Sequence, residues 1–159
     1  MTAIGERSFD DLLGDAVAFH GHLCPGQVLG VRMTQAGCRE AGIPDPRAVG
    51  KGLVVIVEID RCATDAIQAL TGVSLGKRTL RHLDFGKMAA TFINRESDIA
   101  VRIAARETAR QGAARLVPSE GDPRRAQIRA YRDMAVLCRS CGGGRYYLIQ
   151  ATGVQESAR

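Results

Sequence analysis

One stretch constrains this 159-residue chain more than any other: His20-Gly21-His22-Leu23-Cys24-Pro25-Gly26. It sets two imidazoles and a thiol within five residues. All three are ligands of the kind that bind zinc and other late transition metals. The residues after it, 26–33, have helical character, and Pro25 suits the first helical position, where its missing N–H is not needed. Cys24 is therefore expected at the N-cap, facing the positive end of the helix dipole, where a thiol ionises more easily.

Helices and strands are both expected around it. Ser8 is an N-cap followed by Asp10 and Asp11, and Phe9, Leu12, Leu13, Ala16 and Val17 form an apolar face that ends near Gly21. A second helix is expected over 25–41, with Leu29, Met33 and Ala36 on one stripe, Cys38 as a small buried side chain, and Gly42 as the stop. Residues 53–57, Leu-Val-Val-Ile-Val, make the clearest strand, expected to be central and covered on both faces. It leads through Glu58, Asp60 and Cys62 to a short helix capped by Thr64 and closed by Gly72. Residues 88–93 and 99–103 flank a polar turn and read as a β-hairpin. Two Arg-rich helices follow, over 106–116 and from Pro123 to about residue 134. Cys138-x-x-Cys141 with three glycines and a last strand-like run at 146–149 complete the chain.

Composition limits the functions available. No apolar run approaches the roughly 20 residues needed to span a membrane, and the first 15 residues lack a signal-peptide pattern. Five cysteines are an odd number without a regular framework, as expected of reduced thiols in the cytoplasm. Residues 1–99 carry 11 basic and 12 acidic side chains, whereas residues 100–159 carry 11 basic and five acidic. That cationic half lacks interleaved aromatics other than Tyr131, Tyr146 and Tyr147. It reads as solvated helices in preference to a nucleic-acid surface.

Two constellations carry chemistry. The first is His20, His22, Cys24 and Cys62, with Asp60 or Asp65 nearby. Read as a metal centre, it supplies thiolates at Cys24 and Cys62 that serve as ligands or nucleophiles, and imidazoles at His20 and His22 that serve as ligands or proton carriers. Asp65 then orients a histidine. Read without chemistry, it is two capping histidines and two buried thiols. The second is Cys138 and Cys141, half of a zinc knuckle or a redox dithiol. Gly76-Lys77-Arg78 is too short to identify as a phosphate loop.

Three blocks resemble the FmdE family, which is named for formylmethanofuran dehydrogenase. They are residues 19–26; Asp60-Arg61-Cys62-Ala63-Thr64-Asp65-Ala66-Ile67-Gln68 with Leu70-Thr71-Gly72; and Leu75-Gly76-Lys77 through Asp84-Phe85-Gly86-Lys87 to Phe92. The resemblance covers residues 9–104. It implies an α+β domain over residues 1–104, with a mixed or antiparallel sheet packed by helices. It also implies a homodimer, and a cleft lined by His20, His22, Cys24 and Cys62, with Asp65 and Lys77 as further cofactor-binding candidates. Many family members end in two Cys-x-x-Cys pairs. This chain has one, so residues 105–159 are expected as a basic helical extension with a partial zinc-knuckle motif. The family's redox chemistry belongs to a molybdenum or tungsten cofactor on other subunits. The expected function is therefore to bind zinc or another transition metal, or a one-carbon cofactor, in support of an oxidoreductase. The alternatives are a stand-alone metal- or Cys-dependent enzyme acting on a small acyl or formyl compound, with Cys24, Cys62 and His22 catalytic, and a non-catalytic interaction module.

Overall fold

A computed structural model describes residues 3–106, 111 and 121–132, and the backbone alone of 134–141 and 144–151. Helix α1 (Phe9–His20) begins as the sequence predicts, with Ser8 Oγ accepting from the Asp11 N–H. It ends at Gly21, whose φ of 93° is the left-handed conformation that glycine adopts without strain. Helix α2 (Pro25–Glu40) follows after a four-residue loop, and the short α3 (Pro46–Val49) leads into β1 (Leu53–Val57). Then come α4 (Cys62–Thr71), β2 (Leu80–His82), β3 (Ala89–Asn94), β4 (Ile99–Ala105), α5 (Pro123–Arg132), β5 (Met134–Cys141) and β6 (Gly144–Ala151). Apart from residues 106 and 111, the helix expected over 106–116 lies outside the described residues.

The strands form one mixed sheet in the order β2-β1-β3-β4-β6-β5. β1 pairs parallel with β2 and antiparallel with β3, β3 pairs antiparallel with β4, and β4 pairs parallel with β6. The register aligns Val55, Phe92 and Val101 in one row and Val57, Ala90 and Ile103 in the next. All six are buried on the face that carries the helices. α2 lies on this face with Gly37 against the Phe92 ring, and α4, α1 and α5 pack around α2. The fold is thus α+β, a mixed sheet covered by helices. The opposite face is only partly covered, since Ile56 and Thr91 are half-buried. β1 is interior to the sheet, as expected, and all of its residues but the half-buried Ile56 are buried.

Other expectations shift in detail. The helix after β1 starts at Cys62 with Arg61 as its N-cap, ahead of the predicted Thr64. Thr64 Oγ1 instead donates to the Ile59 carbonyl at 2.9 Å. Glu58 is turned toward β4, where Arg102 holds both of its carboxylate oxygens at 2.6 and 2.7 Å. The boundary expected between residues 104 and 105 falls at the last residue of β4, and the sheet continues past it through β6 and β5. The segment containing Cys138 and Cys141 is β5, paired antiparallel with β6, and follows the expected helix at α5. The side chains of both cysteines lie outside the described residues. Among the described residues no helix is long and apolar enough to cross a membrane.

Candidate metal centre

The site is built where three chain segments meet at one end of the sheet. The first is the end of α1, which delivers His20. The second is the N-terminus of α2, where Cys24 takes the extended N-cap conformation (φ −144°, ψ 164°) ahead of Pro25. The Cys24 thiol makes no capping hydrogen bond, so its sulfur is available for other contacts. The third is the start of α4, which carries Cys62.

Close helix packing brings these segments together. A Cβ on Gly26 would lie 2.8 Å from Cys62 Cβ, and one on Gly30 would lie 2.6 Å from the Ala63 carbonyl oxygen. No real side chain tolerates such distances. Only glycine at both positions lets the two backbones approach. Gln27, fully buried between them, donates from Nε2 to the Cys62 carbonyl. Gln27 and the two glycines are supporting residues that the motif pattern alone does not single out. Their signal in the chain is the Gly26–Gly30 spacing, one helical turn apart on a single face.

As a result, His20, Cys24 and Cys62 each place a donor atom within 4.8 Å of the other two. Donors on one ion, at about 2.0–2.3 Å each, can be no more than roughly 4.6 Å apart. The group is therefore within a few tenths of an ångström of a ligand set. Asp65 Oδ2 lies 2.7 Å from His20 Nδ1 and fixes the ring by accepting its N–H. That leaves Nε2, which is buried with no hydrogen-bond partner among the described residues. A buried polar atom without a partner carries a desolvation cost. A metal ion is a partner that satisfies a ring nitrogen and two sulfurs at once. A histidine held by a carboxylate is also the usual form of a metal-ligating imidazole. The residues present thus fit a metal ion.

Burial pushes the Cys62 thiol above its ordinary range, the adjoining Cys24 thiol adds to this, and the Asp65 charge contributes in the same direction. Together these outweigh the lowering effect of the backbone hydrogen bond at Cys62. A bound cation reverses that balance, because it favours the thiolate.

The other candidates are placed elsewhere. His22 is exposed and stacks over His20 with ring centroids 4.5 Å apart, outside the donor group. Asp60 is exposed and pairs with Arg61 at 3.3 Å, so it is not a ligand in this arrangement. Lys77 sits at the far end of α4, with Nζ donating to the Gly72 carbonyl at 3.0 Å. Cys38 is fully buried within α2, and burial pushes its thiol up to about 12, the inert role expected of it.

Comparison with known proteins identifies the family. A protein from Archaeoglobus fulgidus, described as a probable S-adenosyl-L-methionine-binding protein, is 40% identical over 94 residues. The match takes in 58% of this chain and 26% of the relative, so the chain spans about a quarter of that protein's length. The crystal structure of a tungsten formylmethanofuran dehydrogenase FmdE-like protein from Syntrophus aciditrophicus is similar over 59% of this chain and 49% of its own. Its sequence identity is 29% and the TM-score is 0.48. The family model described as "FmdE, Molybdenum formylmethanofuran dehydrogenase operon" matches residues 19–137, a span that contains all three donors and most of the chain, and this protein therefore belongs to the FmdE family.

Proposed function

We propose that this protein binds a transition metal ion through His20 Nε2 and the thiolates of Cys24 and Cys62, in support of one-carbon oxidoreductase chemistry. The observation that carries the reading is the His20 ring, grouped with two sulfurs and with its Nε2 buried without a hydrogen-bond partner among the described residues. Two sulfurs and one nitrogen form a ligand set suited to zinc, and three protein ligands leave a fourth position for water or substrate. At that position a bound metal would supply Lewis-acid activation. In this chain Asp65 holds the His20 ring, and His22 lies over it at the exposed side, placed to relay a proton. Cys24, Cys38 and Cys62 are free thiols, which accords with a reducing compartment and thus the cytoplasm. The family's description suggests a formylmethanofuran dehydrogenase as the enzyme partner. A homodimer remains part of this proposal.

A second reading rests on the 40%-identical relative, whose description makes S-adenosyl-L-methionine a ligand to titrate against the same protein. The deciding experiment is elemental analysis of protein purified without added metal or chelator, as wild type, Cys24→Ala and Cys138→Ala. About one metal per chain, lost in Cys24→Ala and kept in Cys138→Ala, is the expected result. Metal lost only in Cys138→Ala would move the ion to the C-terminal Cys pair. Metal absent from all three samples would overturn the reading.

A further inference from the structure

Among the described residues Cys24, Cys38 and Cys62 are free thiols, and two of them meet. The sulfurs of Cys24 and Cys62 lie within 4.8 Å of each other, and the Cys24 thiol is close enough to hydrogen-bond with that of Cys62. The Cys62 sulfur lies over the first turn of α2: a Cβ on Gly26, two residues after Cys24, would be 3.6 Å from it. Cys38 is 14 residues beyond Cys24 along α2. At about 1.5 Å per helical residue it stands roughly 21 Å away and does not compete.

The two thiols differ in access. Cys62, the first residue of α4, is half-buried, whereas Cys24 is buried. Cys62 is thus the thiol that an oxidant from solvent meets, with Cys24 behind it. Cys24 is an extended N-cap without a capping hydrogen bond, so no helix contact ties its sulfur down. A disulfide needs sulfurs about 2.05 Å apart, and rotation about the Cα–Cβ bonds is the movement that closes the remaining gap. A disulfide carries no charge, so the burial that disfavours a thiolate here does not disfavour the oxidised pair.

We propose that Cys24 and Cys62 are a reversible dithiol–disulfide couple, oxidised by a hydroperoxide and reduced by a dithiol. In the first step the Cys62 sulfur attacks the peroxide. The O–O bond breaks, an S–O bond forms and water leaves, so the sulfur is oxidised by two electrons to a sulfenic acid. In the second step the Cys24 sulfur attacks that of Cys62. The S–S bond forms, the S–O bond breaks, and the hydroxide leaves as water with the Cys24 proton. The His20 ring, whose Nε2 has no hydrogen-bond partner among the described residues, lies beside both sulfurs to carry that proton. A dithiol restores both thiols by exchange and is itself left as a disulfide. The couple does not need the metal. One consequence rests on the metal-binding reading: the oxidised pair has no thiolate to offer, so oxidation releases the ion.

Peptide mapping by mass spectrometry tests it on the full chain, stripped of metal with a chelator, treated with hydrogen peroxide and alkylated. A peptide pair joined through Cys24 and Cys62, returned to two thiols by dithiothreitol, is expected. Cys38→Ser should retain the bond. Cys24→Ser should instead accumulate a sulfenic acid on Cys62, trapped by dimedone. Zinc-loaded wild type should release its zinc as the disulfide forms, read with a chromophoric chelator. A disulfide in protein that takes up no zinc when reduced would support the couple and remove the metal-binding reading. Absence of the Cys24–Cys62 disulfide, or pairing of either residue with Cys138 or Cys141 in its place, would overturn the couple, whether or not zinc binds.

Discussion

The surroundings of His20 constrain both ring nitrogens: Nδ1 is held by Asp65, Nε2 is buried without a hydrogen-bond partner among the described residues, and the ring offers a donor within 4.8 Å of the sulfurs of Cys24 and Cys62. Asp65→Asn should therefore act through the ring, because an amide can donate to Nδ1 and turn the tautomer round. Metal affinity should fall about 10–100-fold with little change in stability, measured by competition with a chromophoric chelator. Glu58 is the second residue whose environment decides its behaviour. The Arg102 hydrogen bonds lower its carboxyl below the ordinary 4.5, against the opposing effect of burial. A depressed carboxylate stabilises the fold above its unfolded value, and that contribution disappears as pH falls through the folded value. Arg102→Met leaves Glu58 buried and unpaired, and should cost about 3 kcal/mol at neutral pH. The difference from wild type should shrink below about pH 4, as read by urea midpoints at the two pH values.

At the scale of elements, α2 is the central helix, and its glycines set how near its neighbours come. A Cβ on Gly37 would lie 2.3 Å from the Phe92 ring, in the middle of the core. Gly37→Ala should destabilise by about 1–2 kcal/mol, because overpacking outweighs the gain of about 1 kcal/mol in helix propensity. Metal binding should survive that change. Gly26→Ala should do the opposite: its new methyl pushes against Cys62 Cβ at 2.8 Å and spreads the donors. Metal affinity should drop although no ligand has been altered. Thermal unfolding and chelator competition on the pair of variants separate the two effects. The caps of these helices are legible in the chain. Ser8, Cys24, Gly21 and Gly72 all sit where their local chemistry puts them. The start of α4 departs from its local signal because Thr64 offers a better capping side chain than Arg61. Its hydroxyl is instead taken by the Ile59 carbonyl.

For the whole molecule, the question is how far the C-terminal part belongs to the core. Ala126 and Tyr131 of α5 are buried, α5 packs on α2, and β6 pairs with β4 along five residues. A chain ending at Ala105 would uncover β4 as an open edge and remove that cover. Its melting midpoint should fall by about 10 °C or more, with increased aggregation. A midpoint equal to the full chain's would show that residues 1–105 stand alone as a domain.

The sequence by itself determined the local features: helices where apolar residues recur at 3.6, the Val/Ile strand, the hairpin, and the His-x-His-x-Cys loop ahead of a Pro-started helix. These depend on neighbours within a few residues, and side-chain chemistry at that range is readable from spacing. It also marked the donors, because few residue types bind late transition metals. Only the tertiary structure decided which donors meet. His22 is two residues from His20 and two from Cys24, yet it faces outward, whereas Cys62 joins them from 38 residues beyond Cys24 because Gly26 and Gly30 let α4 close in. Convergence of that kind depends on how helices and strands pack over long separations, and no local pattern in the chain encodes it.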